Sequence, residues 1–110
     1  MRDHQELDDR SLALHRLIAE KIRQDPSLFN KARATLANWR TRVSSRSQPY
    51  LDEWDSLMNQ GIEACLAVAV EESEHATALR QSSPLSGLLS NQDRFAFLKT
   101  WTKDGGHVAH

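Results

Sequence analysis

Between residues 29 and 43 the apolar side chains Phe29, Ala32, Leu36, Trp39 and Val43 step by 3, 4, 3 and 4. That spacing puts all five on one narrow stripe of an α-helix and is incompatible with a strand, whose faces alternate every residue. The same periodicity recurs along the chain. Leu14, Ile18 and Ile22, with Leu17 beside them, mark a first helix that Asp8 or Asp9 can cap. Asp25-Pro26 then supplies a cap and a proline at the first helical position, opening the second helix. Ser44-Ser45-Arg46-Ser47-Gln48-Pro49 is a polar connection. After it, Tyr50, Leu51, Trp54, Leu57 and Met58 form a third stripe, which Gly61 interrupts or ends.

Ile62 to Val70 is apolar except for Glu63, which predicts a central buried helix continuing, more polar, to Leu79. Ser82-Ser83-Pro84 stops it, because proline pushes its predecessor out of the α region. Ser90 with Asp93 three residues on reads as the start of a last helix carrying Phe95, Leu98 and Trp101, with Phe97 off the seam and Gly105-Gly106 as its end. No alternating β-branched run is present. The expectation is an all-α, single-domain bundle of about five helices over residues 1–110, with 1–7 and 104–110 frayed.

Composition narrows the function classes. A chain of 110 residues supports one modest core. No apolar run is long enough to cross a bilayer. No basic stretch followed by an apolar one opens the chain, so a cytoplasmic location is expected. One cysteine, Cys65, excludes an internal disulfide and a cysteine-rich zinc site. Fourteen basic against fifteen acidic residues give a net charge of −1, which argues against a dedicated nucleic-acid binder.

The charges are segregated. Lys31, Arg33, Arg40, Arg42 and Arg46 stand without an acid between Pro26 and Arg46. Asp52, Glu53, Asp55, Glu63, Glu71, Glu72 and Glu74 follow without a lysine or arginine among them. Either the two stripes pack antiparallel and screen each other, or the acidic one faces a partner of opposite charge.

The chemistry-bearing candidates each have a plainer alternative. Glu72-x-x-His75 has the spacing of a di-iron helix ligand pair, but a site needs a second copy and further inward glutamates, and the chain has none. Cys65 sits in the most apolar segment with acids nearest, the opposite of a nucleophile's surroundings. Ser82, Ser83 and Ser86 lack a nucleophile elbow, and capping accounts for them. The glycines Gly61, Gly87, Gly105 and Gly106 make no phosphate loop. No enzyme, cofactor or metal is therefore expected. Leu79 to Leu89 is the most distinctive segment: Arg80 and Gln81 end a helix, and Leu85, Leu88 and Leu89 either close the bundle or leave an apolar knob exposed.

Arg10-Ser11-Leu12-Ala13-Leu14-His15, Asp25-Pro26, Tyr50-Leu51-x-x-Trp54 and Leu79-Arg80-Gln81-Ser82-Ser83-Pro84 together resemble a group of small bacterial helical proteins encoded beside toxin-like genes, over about residues 10–101. The resemblance implies the antitoxin of a type II toxin–antitoxin pair, which neutralises its partner by direct contact and needs no catalytic residue. Unlike common antitoxins, the chain shows no DNA-binding module and no long disordered tail. On this reading a protein partner, the cognate toxin, meets a surface built from Asp52, Glu53, Asp55, Glu71, Glu72, Glu74, Arg80, Gln81 and Leu85. The alternatives are a self-associating adaptor forming a homodimer through the two stripes, and a nucleic-acid-binding regulator using the second helix.

Overall fold

The computed structural model describes residues 3–42, 46–102 and 106–107. Six α-helices make up the described fold: α1 (Asp3–Gln24), α2 (Ser27–Arg40), α3 (Gln48–Gln60), α4 (Ile62–Ala69), α5 (Glu74–Arg80) and α6 (Asn91–Thr100). A single 3₁₀ turn, Ser86–Leu88, joins α5 to α6. The chain is all-α apart from a two-residue antiparallel bridge between β1 (Trp101–Thr102) and β2 (Gly106–His107). Val43, expected at the end of the second seam, lies outside the described residues, as do residues 1–2 and most of the expected C-terminal fray.

The apolar stripes meet as their spacing requires. Ile18 and Ile22 of α1, Phe29, Ala32 and Leu36 of α2, and Leu51, Trp54 and Met58 of α3 are buried together. Cys65, Leu66 and Ala69 of α4 sit among them, and Leu79, Leu85 and Leu89 close the cluster from the far end of the chain. Fully burying one such aliphatic side chain contributes about 1.5–3 kcal/mol. Trp54 is wholly buried, and its indole N–H donates to the Leu79 carbonyl at 2.9 Å, so its one polar atom is satisfied.

Local signals set the helix ends. The Asp25 carboxylate accepts from the Ser27 amide (3.2 Å) and hydroxyl (2.6 Å), turning the chain from α1 into α2. Gly61 has φ +116°, ψ 171°, a conformation that favours glycine, and it is the whole joint between α3 and α4. The Ser90 hydroxyl takes the Asp93 amide at 3.0 Å, as a cap should.

Three expectations are corrected. α1 begins at Asp3, so Asp8 and Asp9 lie inside the helix rather than capping it. The helix expected from Ile62 to Leu79 is two helices, which makes six rather than five. α4 stops at Ala69, and Ser73, in an extended conformation, accepts the Ala76 amide at 3.1 Å to start α5. The break places Glu74 in the first turn of α5, where a carboxylate meets the positive end of the helix dipole. Arg80 holds the break from the other side by donating to the carbonyls of Ala69 (3.1 Å) and Glu71 (2.8 Å), which the ending helix leaves without partners. In α6 the buried face is also different. Phe97 is inside, whereas Phe95 and Leu98 are exposed and Trp101 has left the helix for β1. Lys21 pairs with Asp93 at 3.1 Å and Arg94 donates to the Ser86 carbonyl, so 93, 94 and 97 face the body of the protein.

Candidate functional site

The two charge stripes largely satisfy one another. Arg40 of α2 holds both Asp52 (2.5 Å) and Asp55 (3.1 Å) of α3. Arg33 donates to Asn59 at 2.8 Å, and the matched sums of these residue numbers describe antiparallel neighbours. Glu63 goes to Arg23 and Glu72 to Arg16, each at 3.1 Å, both partners on α1. Glu53 accepts from His75 at 2.6 Å. His75 and Glu72 thus turn to different partners rather than to a common centre, and among the described residues no three His, Cys, Asp or Glu side chains are placed to hold a metal ion.

Arg80 and Leu85, expected at a contact surface, are both interior. Leu85 has no exposed area and belongs to the core, so the leucines after Arg80 close the bundle rather than forming a knob. Arg80 is 5% exposed. Its guanidinium donates to two carbonyls and to the Thr77 hydroxyl (3.2 Å), while its Nε has no hydrogen-bond partner among the described residues. Burial lowers its pKa from the ordinary arginine value; Asp8, Glu71 and Glu72 nearby work against that shift and Arg16 adds to it.

α1 lies over Arg80 and divides the surface there into two hollows. On one side, Asp8 and Asp9 of α1 face Glu72 and Glu74 across a groove of about 440 Å³, with Leu12 and Ala78 among its walls and Arg80 and Gln81 at its lining. On the other side is a hollow of about 230 Å³ lined by Arg10, Arg80 and Arg94 together with Leu14, Phe97 and Leu98. The helical repeat explains the division, since 8, 9 and 12 share one flank of α1 while 7, 10, 11 and 14 share the other. Of the sequence-predicted contact residues, Glu72, Glu74 and Gln81 therefore meet at one groove, joined by Asp8 and Asp9. Asp52, Glu53 and Asp55 lie on α3, paired as described above, and the Glu71 carboxylate accepts the Ser73 hydroxyl at 2.6 Å.

A buried polar pair beneath α1 has no counterpart in the sequence reading. The His15 Nδ1–H donates to the Ser11 carbonyl at 2.8 Å, which leaves Nε2 to accept the Ser83 hydroxyl at 2.8 Å. Burial first, and the Arg80 charge after the opposing Ser11 bond, lower the His15 pKa to about 4, so the ring is neutral at pH 7. A neutral imidazole accepting a serine hydroxyl is the first requirement of a nucleophile–base pair. Here Ser83 is 2% exposed and its oxygen already accepts the Leu85 amide at 3.1 Å, so the pair ties α1 to the 82–89 segment. Burial likewise pushes the Cys65 thiol up to about 12, which keeps it protonated and unreactive. No protein-family model, curated protein or solved structure matches the chain.

Proposed function

We propose that this chain is a non-enzymatic helical binding protein that receives a cationic segment of a protein partner in the groove between α1 and α5, and that the pair is a type II antitoxin with its toxin. The observation that carries the reading is the meeting of Asp8, Asp9, Glu72 and Glu74 around one groove with apolar Leu12 and Ala78 in its walls. Lysine or arginine side chains have charge to pair with at the rim and methylenes to lay on the walls. A toxin's basic RNA- or nucleotide-binding cleft offers such side chains, and covering it would exclude its substrate. The resemblance of residues 10–101 to proteins encoded beside toxin-like genes supports the antitoxin form of the reading.

The test is a native pull-down from the host followed by a growth assay with the captured protein. The expected result is a stoichiometric partner whose expression arrests growth, rescued by this chain but not by its Asp8→Lys, Glu72→Lys, Glu74→Lys variant. Unchanged affinity of that variant would sink the groove reading. A self-associating adaptor is the second reading, favoured by the exposed Leu7, Phe95 and Leu98. It predicts a partner-free dimer that survives high salt, because Arg40 already spends its charge on Asp52 and Asp55 within the chain.

A further inference from the structure

The hollow on the other flank of α1 has the chemistry of a ligand site. Three guanidinium groups, from Arg10, Arg80 and Arg94, border it, and no carboxylate does so among the described residues. Their donors are not all used. Arg10 makes no hydrogen bond or ion pair with a described residue, Arg94 gives one N–H to the Ser86 carbonyl, and the Nε of the buried Arg80 has no acceptor. The acids that balance Arg80 stand toward the other groove: Asp8 and Glu72 line it, and Glu71 precedes it. Leu14 lies one turn beyond Arg10 on α1, and Phe97 and Leu98 lie within about a turn of Arg94 on α6, so an apolar lining runs beside the arginines. His15 contributes no charge, because burial keeps its ring neutral, with Nε2 accepting the Ser83 hydroxyl.

The geometry points to a binding site for a small apolar carboxylic acid, its carboxylate between Arg10 and Arg94 and its hydrocarbon body against Leu14, Phe97 and Leu98. Guanidinium forks match carboxylates in a way that a scattered surface charge does not. At about 230 Å³ the hollow is smaller than the roughly 300–1,000 Å³ of drug-sized pockets, so one ring or a short branched chain fills it and a nucleotide does not fit. The site is separate from the acidic groove and does not depend on the partner reading.

Titrating the isotope-labelled full chain with benzoate, phenylacetate and hexanoate to about 10 mM, followed by amide NMR, tests this. At least one acid should give saturable shifts centred on Leu14, Ser86 and Phe97, and phenylacetamide, which keeps the ring and loses the charge, should give none. Arg10→Gln and Arg94→Gln should each weaken binding about tenfold or more. Arg10→Gln removes no hydrogen bond or ion pair with a described residue and keeps most of the side-chain stem, so it reports on binding rather than folding. Absence of saturable shifts with all three acids would overturn the proposal. Equal affinity for the amide, or equal competition by inorganic phosphate, would do the same, because either makes one half of the site irrelevant.

Discussion

Acid should destabilise this protein through one imidazole. His15 is 1% exposed, donates from Nδ1 to Ser11 and accepts the Ser83 hydroxyl at Nε2. A second proton on the ring would reverse the bond to Ser83, displacing the hydroxyl's own proton, and would bury a cation close to Arg80. The folded pKa is therefore lowered from 6.5 to about 4. Above pH 6.5 neither folded nor unfolded chain is protonated here, and His15 gives no pH dependence. As pH falls from 6.5 toward 4, the unfolded chain takes up a proton that the folded one refuses, and stability is lost; below that window the loss is complete. At about 1.4 kcal/mol per pKa unit the total is about 3 kcal/mol, a large share of the roughly 5–15 kcal/mol typical of a domain. Urea midpoints, read by tryptophan fluorescence between about pH 7.5 and about pH 4.5, measure it. Comparison with His15→Leu isolates the imidazole, because every other group is common to the two proteins. The variant should be less stable at neutral pH, by about 1–3 kcal/mol for the stranded Ser83 hydroxyl, yet its stability should fall much less on acidification. Parallel curves for the two proteins would refute the reasoning.

Further outcomes follow from single contacts. Ser83→Ala removes the partner of both His15 Nε2 and the Leu85 amide, and should cost about 1–3 kcal/mol in chemical denaturation. Gly61→Ala forces a side chain into φ +116° and should cost about 1 kcal/mol or more although nothing lies within 4 Å of the new methyl. Gly87→Ala meets equally open space without that backbone demand, so its Tm should be unchanged or slightly raised. Cys65, with its thiol pushed up to about 12, should react with a thiol reagent only at the rate of global opening, and denaturant should accelerate the reaction steeply.

The bundle was legible where a pattern belongs to one helix. The stripe Phe29, Ala32, Leu36 needs only its spacing to be recognised, and all three are buried. Gly61 and Ser90 mark helix boundaries through backbone freedom and capping, which are properties of the residues themselves. α6 was misread because apolar Phe95, Phe97 and Leu98 surround the helix, and only the tethers from Lys21 and to Ser86 decide which of them turns inward. The break at residues 70–73 depends on a clamp that comes from Arg80, several residues later. The acidic groove depends on an approach between residues more than sixty positions apart, and nothing local to Asp8 and Asp9, which lie inside α1, announces α5 beside them. Ser83 does bond a following amide as the capping reading implies, but its link to His15 spans the fold.

That link also imposes an order in time. His15 and Ser83 are 68 positions apart, so at about 5–20 residues per second the ribosome makes the second roughly 3–14 s after the first. Meanwhile the partners α1 finds in α2 and α4 can already shelter Ile18 and Ile22. The imidazole has no hydroxyl to receive, and the floor of both hollows is missing because Arg80 has not been added. A nascent chain halted before residue 80 would thus lack only Arg80 and Gln81 of the acidic groove's lining, but Arg80, Ser86, Arg94, Phe97 and Leu98 of the other hollow's. The two hollows therefore mature at different times: most of the lining of the acidic one is present once residue 78 is made, whereas the arginine-lined one waits for α6.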